Sequence, residues 1–145
     1  MRLDQNLILV PVLAQVLLTL VVMVQMGRAR ARSMRERRQR MDDVALATAT
    51  DWSDEARKAQ NNYASQFEMP VLFYVVSTFA LIPRSVDVVM VLLGLAFVAT
   101  RVMHTYIHTG HNRVQPRFTV FLAGVGVLAA MWGLLGWRAI AAGLV

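Results

Sequence analysis

Four stretches of the chain are dominated by apolar residues, and each is long enough to cross a bilayer as a helix. They run over about residues 7–26, 63–82, 86–107 and 118–137. A helical residue rises about 1.5 Å, so about 20 of them cover a hydrocarbon core of about 30 Å. The pattern breaks three times between them. Gly27 to Lys58 is polar and basic, Ile82-Pro83-Arg84-Ser85 is a short turn, and Thr109 to Pro116 is a polar turn in which Gly110 and Pro116 interrupt the apolar run. The pattern therefore predicts an all-α, four-transmembrane-helix bundle, with residues 1–145 as one membrane domain and no convincing internal repeat.

The boundaries carry further expectations. Leu7 to Met26 contains Pro11, Gln15 and Gln25 but no charge. It is longer than the apolar core of a signal peptide, and its basic flank follows it, so it reads as a permanent span. Arg28 to Asp43 mixes arginines with Glu36, Asp42 and Asp43 at helix-compatible spacing, so the first helix is expected to run past the membrane. Thr50, Asp51 and Ser53 offer N-caps, and the second helix is expected to start near Ser53. Pro70 lies inside that helix, frees the carbonyl of Gln66 and predicts a kink near Glu68. Trp132 and Trp137 suit the aromatic anchors of a membrane interface.

Composition fits this picture. Of the 145 residues, 57% are hydrophobic and 17% charged, more apolar surface than one soluble core of this size could hide. The net charge of +6 is concentrated in Arg28, Arg30, Arg32, Arg35, Arg37, Arg38, Arg40, Arg57 and Lys58. Such a run beside a span sets topology, and here it places the basic loops in the cytoplasm and the N-terminus outside. It also suits contact with membrane lipid headgroups, whereas a nucleic-acid partner is not expected. There is no cysteine, so no disulfide forms, and any thiol chemistry must use a thiol carried by a small molecule.

Ionisable groups inside a span cost several kcal/mol unless paired or solvated, and each is a functional candidate. At about 100° per residue, Arg101, His104, Thr105 and His108 lie on one face of the third span, while Tyr106 points elsewhere. Asn61, Ser65 and Glu68 share a face of the second helix, and Asn62 does not. Glu68 has no basic neighbour three or four residues away, so it needs a ligand or a partner on another helix, for which Arg101 is the candidate. Pro116 suits the first position of the fourth helix, and Arg117 follows where exposed helix amides add positive potential. Two arginines and a carboxylate suit a zwitterionic ligand with carboxylates and an amine. No metal site is expected: His104 and His108 lack further ligands at a standard interval. No glycine-rich phosphate loop or serine-nucleophile elbow is present.

At these residues the sequence resembles the MAPEG family, the membrane-associated proteins of eicosanoid and glutathione metabolism. Arg101-Val102-Met103-His104-Thr105, then His108 and Arg117, carry the similarity, together with the Asn-rich segment that ends in Glu68-Met69-Pro70. It covers about residues 57–137 and looks nearest to bacterial members, which implies an inner-membrane protein. The resemblance implies a homotrimer that binds glutathione as co-substrate between neighbouring subunits, near the cytoplasmic end. Arg101, His104 and Glu68 would hold its charged ends, and Asn61, Ser65, Thr105 and His108 would complete the binding site. Arg117 would sit near the sulfur, where a positive charge favours thiolate over thiol.

The departures are specific. His108 stands where related enzymes have a tyrosine, Phe118 where a serine follows the arginine, Phe121 where a tyrosine is found, and Ser65 where an asparagine is usual. Thiol activation would then rest mainly on Arg117. The leading expectation is a glutathione-dependent transferase or peroxidase acting on lipophilic electrophiles. The alternative is a non-catalytic relative, a lipid-binding or scaffold subunit. A small transporter fits less well, because the polar groups gather at one end and not at the midplane.

Overall fold

The computed structural model describes residues 4–38, 52–110 and 113–143. A 3-10 turn, Gln5–Ile8, leads into α1 (Leu9–Glu36). There follow α2 (Asp54–Ser65), α3 (Met69–Leu81), α4 (Val88–Thr109) and α5 (Val114–Ala141). Among the described residues there is no strand, and four helical stretches are long and apolar enough to cross a membrane: Gln5–Glu36, Asp54–Leu81, Val88–Thr109 and Val114–Ala141. The all-α, four-span expectation holds.

Several ends follow from local sequence. Asp4 caps the 3-10 turn by accepting from the Asn6 amide at 3.0 Å. At about 1.5 Å per residue α1 is about 42 Å long, more than the thickness of a hydrocarbon core. α2 packs against its arginine-rich end through Ala29, Ala56 and Ala59, small residues that let the helices approach closely. Ser33 accepts from the Ser53 amide at 2.9 Å, and the Arg30 guanidinium lies 5.2 Å from the centre of the Trp52 ring. Ser53 is the cap of α2, its hydroxyl accepting from the Ala56 amide at 3.3 Å. The other two candidates, Thr50 and Asp51, lie outside the described residues.

The second span is more sharply interrupted than a kink. Pro70 has no amide proton for Gln66, so α2 stops at Ser65 and a turn carries the chain to α3. Pro70 then occupies the first turn of α3, where the missing donor costs nothing.

The membrane core is apolar and tightly packed. Phe73 of α3 stacks on Phe97 of α4 with ring centres 4.7 Å apart, among buried Ile8, Val76, Met90 and Met131. Gly94 of α4 lies against the Pro11 ring of α1, and Gly124 of α5 against Thr100 of α4. Small residues bring helices together in lipid, where the hydrophobic effect does little to drive association. One polar layer crosses this core. Gln15 donates to Gln66 at 3.1 Å, Gln66 to Thr105 at 3.3 Å, and Thr105 to Asn62 at 3.3 Å. The outward faces carry exposed Leu13, Leu17, Leu92 and Leu122, as a lipid-facing surface requires.

The other end of the bundle is tied down by side chains. Gln5 binds both backbone groups of Val86 at 3.0 Å. Arg138, on the last turn of α5, donates to the Ser85 carbonyl at 2.6 Å and pairs with Asp87, the cap of α4. Trp137 is exposed beside it.

Candidate functional site

The interruption of the second span shapes the site. In the turn, the Gln66 amide bonds back to Tyr63 and the Phe67 amide to Ala64, each at 3.0 Å. Arg101, buried on α4, reaches across to this turn. Its Nη2 donates to the Ser65 carbonyl at 3.0 Å and to the Ser65 hydroxyl at 2.9 Å. The same hydroxyl donates to the Asn62 carbonyl at 2.8 Å. A cation therefore satisfies backbone that Pro70 has left without a continuing helix.

The expected partner of Arg101 was Glu68, and here the structure corrects the sequence reading. No ion pair joins them among the described residues. Glu68 occupies the position before α3 with φ −89° and ψ −89°, outside the helical register of α2, and its side chain makes no capping bond. That turn leaves Glu68 exposed, while Arg101 is buried against Ser65.

The stripe on α4 divides in two. On the helical wheel about 100° separates Thr105 from His104, with Arg101 and His108 between them. All four are buried. Thr105 faces the polar layer with Asn62 and Gln66, and Arg101 faces Ser65. His104 and His108 face α5 and line a cleft of about 260 Å³.

That cleft collects side chains from three directions. Asn61, Ser65 and Glu68 come from α2 and the turn after it, His104 and His108 from α4, and Val114, Arg117, Phe118 and Phe121 from α5. Arg117 Nη1 stands 3.5 Å from His108 Nδ1. The two histidine rings meet edge to face with centres 5.7 Å apart, and Phe121 lies 6.3 Å from His104. His104 Nδ1 and Arg101 Nε are buried without a hydrogen-bond partner, which is costly for a polar atom and marks a place where a ligand would be satisfied. One wall is thus cationic and polar, with a carboxylate at its edge, and the other is aromatic.

A larger hollow of about 470 Å³ lies beside the α4–α5 turn, lined by Tyr106, Ile107, Thr109, Gly110, Arg113 and Pro116. It brings one charged group, Arg113, and no converging partners. The smaller cleft has the chemistry. Among the described residues no three His, Asp or Glu side chains gather as a metal site.

The structure thus brings Asn61, Ser65, Glu68, His104, His108 and Arg117 together in the cleft, while Arg101 stands behind Ser65 and Thr105 looks the other way. Sequence reasoning did not find the layer formed by Gln15, Asn62 and Gln66, or the Asp87–Arg138 pair. The available signal for the first was Gln15 itself, a polar residue in a span with no charge to pair with it.

The MAPEG family model matches residues 8–137. No curated protein and no solved structure matches the chain at a significant level.

Proposed function

As the chain belongs to the MAPEG family, we propose that it is a glutathione-dependent membrane transferase or peroxidase acting on lipophilic electrophiles that arrive through the bilayer. The family consists of four-helix membrane bundles, generally uses glutathione, and includes transferases, peroxidases and non-catalytic members. Membership and the four apolar helices make this an integral membrane protein.

The observation that carries the proposal is the cleft in which Arg117, His104 and Glu68 meet, with His104 Nδ1 buried and unsatisfied. Glutathione supplies a thiol, which this chain lacks, and it also carries two carboxylates and an ammonium group. Arg117 suits an anionic sulfur or carboxylate, and Glu68 suits the ammonium. Asn61 and Ser65 offer neutral hydrogen bonds, and Arg101 adds positive charge from behind Ser65. Phe118 and Phe121 form an apolar wall for a lipophilic partner.

At about 260 Å³ the cleft is smaller than the ~300–1,000 Å³ usual for small-molecule sites, and it is open on one side. This supports a homotrimer in which a neighbouring subunit closes each cleft. The basic end of α1 supports a cytoplasmic location for this end of the bundle, with the N-terminus on the other side of a bacterial inner membrane.

The test is calorimetric titration of the purified, detergent-solubilised protein with glutathione. Saturable binding that Glu68→Gln weakens supports the proposal. Losing one charge-assisted contact costs about 1.5–3 kcal/mol, or about ten- to a hundredfold in Kd. Absence of binding rejects it and favours a non-catalytic membrane subunit. The specific observation on that side is the pair Phe118 and Phe121, which bring no hydroxyl into the cleft from α5.

A further inference from the structure

The geometry around His108 points to a role that Arg117 cannot fill. An arginine can favour a thiolate by its charge, but it has only donor protons and no lone pair to accept the one the thiol gives up. His108 Nδ1 faces Arg117 Nη1 at 3.5 Å, an approach that is favourable only while Nδ1 carries its lone pair. The neutral ring then holds its proton on Nε2. Arg101 and His104 lie on the same helix and Arg117 on α5, while Glu68, exposed in the turn after α2, is the carboxylate lining this cleft. In this arrangement His108 Nδ1 is an acceptor held beside the cation that would attract an anionic sulfur.

We propose that His108 Nδ1 is the proton acceptor for a thiol bound in this cleft, an inference that rests on the glutathione reading above. The S–H bond breaks and its electron pair stays on sulfur. An N–H bond forms at Nδ1, and Arg117 turns its donors from Nδ1 to the sulfur. An imidazolium and a thiolate appear together, so the cleft gains no net charge. That matters at a membrane end, where charge is poorly solvated and a lone charge is expensive. If the proton left for bulk water instead, the cleft would change its net charge by one. His108 is better suited to the task than His104, because its Nδ1 is the ring nitrogen placed 3.5 Å from Arg117 Nη1. The His104 ring stands edge-on to His108, 5.7 Å away, and helps to hold that ring in place.

Two measurements on the intact protein decide the matter. Calorimetry of glutathione binding in buffers of different ionisation enthalpy counts the protons released, and the ultraviolet absorbance of the thiolate counts the thiolate formed. In the wild type at neutral pH the proposal requires thiolate to form with close to no proton released. His108→Gln should release one proton per thiolate formed, or bind glutathione without forming thiolate. One proton released per thiolate in the wild type overturns the assignment and leaves activation to Arg117 alone. Binding without thiolate in the wild type also overturns it, while the binding site stands. No binding at all overturns the glutathione reading itself. The wild-type proton count does not depend on whether the variant folds.

Discussion

Arg101 Nη2 donates to both the carbonyl and the hydroxyl of Ser65, at 3.0 and 2.9 Å, and so joins α4 to the broken end of α2. The two contacts are separable. Ser65→Ala removes the hydroxyl and leaves the carbonyl bonded, which should cost about 1 kcal/mol. Arg101→Met removes the donor and strands the carbonyl at the break, at a cost of about 2–3 kcal/mol. Thermal unfolding in detergent should therefore rank wild type above Ser65→Ala and Ser65→Ala above Arg101→Met. Equal melting temperatures for the two variants would remove Arg101 from this structural role.

The sequence reveals the spans because about 20 apolar residues per crossing is a requirement of the bilayer and not of tertiary packing. It also reveals the Ser53 cap and the disturbance at Pro70, which are local backbone effects. It misleads on the partner of Glu68. Asn61, Ser65 and Glu68 do line one cleft, but the break after Ser65 gives Arg101 a backbone carbonyl and a hydroxyl to bind instead of the carboxylate. Thr105 shows the limit of a helical stripe. A face about 100° wide reaches two neighbours, so Thr105 and His104 share it yet meet different helices. Asn62 and Gln66 can be placed only when the facing helices are known, because each is satisfied by a residue distant in sequence. The Asp87–Arg138 pair is of the same kind, closing between turns more than 50 residues apart.

Gly94 is required by contact with α1. A Cβ added there would stand 2.9 Å from Pro11 Cγ and 3.3 Å from Pro11 Cβ, and a proline ring cannot swing aside. Gly94→Ala should destabilise the bundle by about 1–3 kcal/mol through overpacking. Gly27, in the interior of α1, meets nothing within 4 Å. Gly27→Ala should instead raise helix stability by about 0.5–1 kcal/mol. Opposite shifts in melting temperature are the expected result. A harmless Gly94→Ala would mean that α1 and α4 do not pack at this distance.

Asp87 gives the end of the bundle away from the cleft an acid-sensitive joint. Burial works against its charge, but the hydrogen bonds from Arg138 and the Met90 amide outweigh that effect and hold the carboxyl below its ordinary value. The ordinary, unfolded value is about 4. Because the folded value is lowered, the stabilisation is complete above about pH 4 and is lost as the pH falls through the folded value. Melting temperature should decline in that acid range, and Asp87→Asn should flatten this part of the decline. An acid limb that is identical in the variant would assign the loss to other carboxylates.

The cleft as a place where a thiol is bound and ionised is tested most directly by the ultraviolet absorbance of glutathione thiolate on purified protein at neutral pH, beside Arg117→Ala. The account predicts a saturable thiolate signal in the wild type that the substitution removes, because Arg117 is the cation of α5 that lines the cleft. Glutathione bound to the wild type with no thiolate signal, or a signal unchanged in Arg117→Ala, would contradict it.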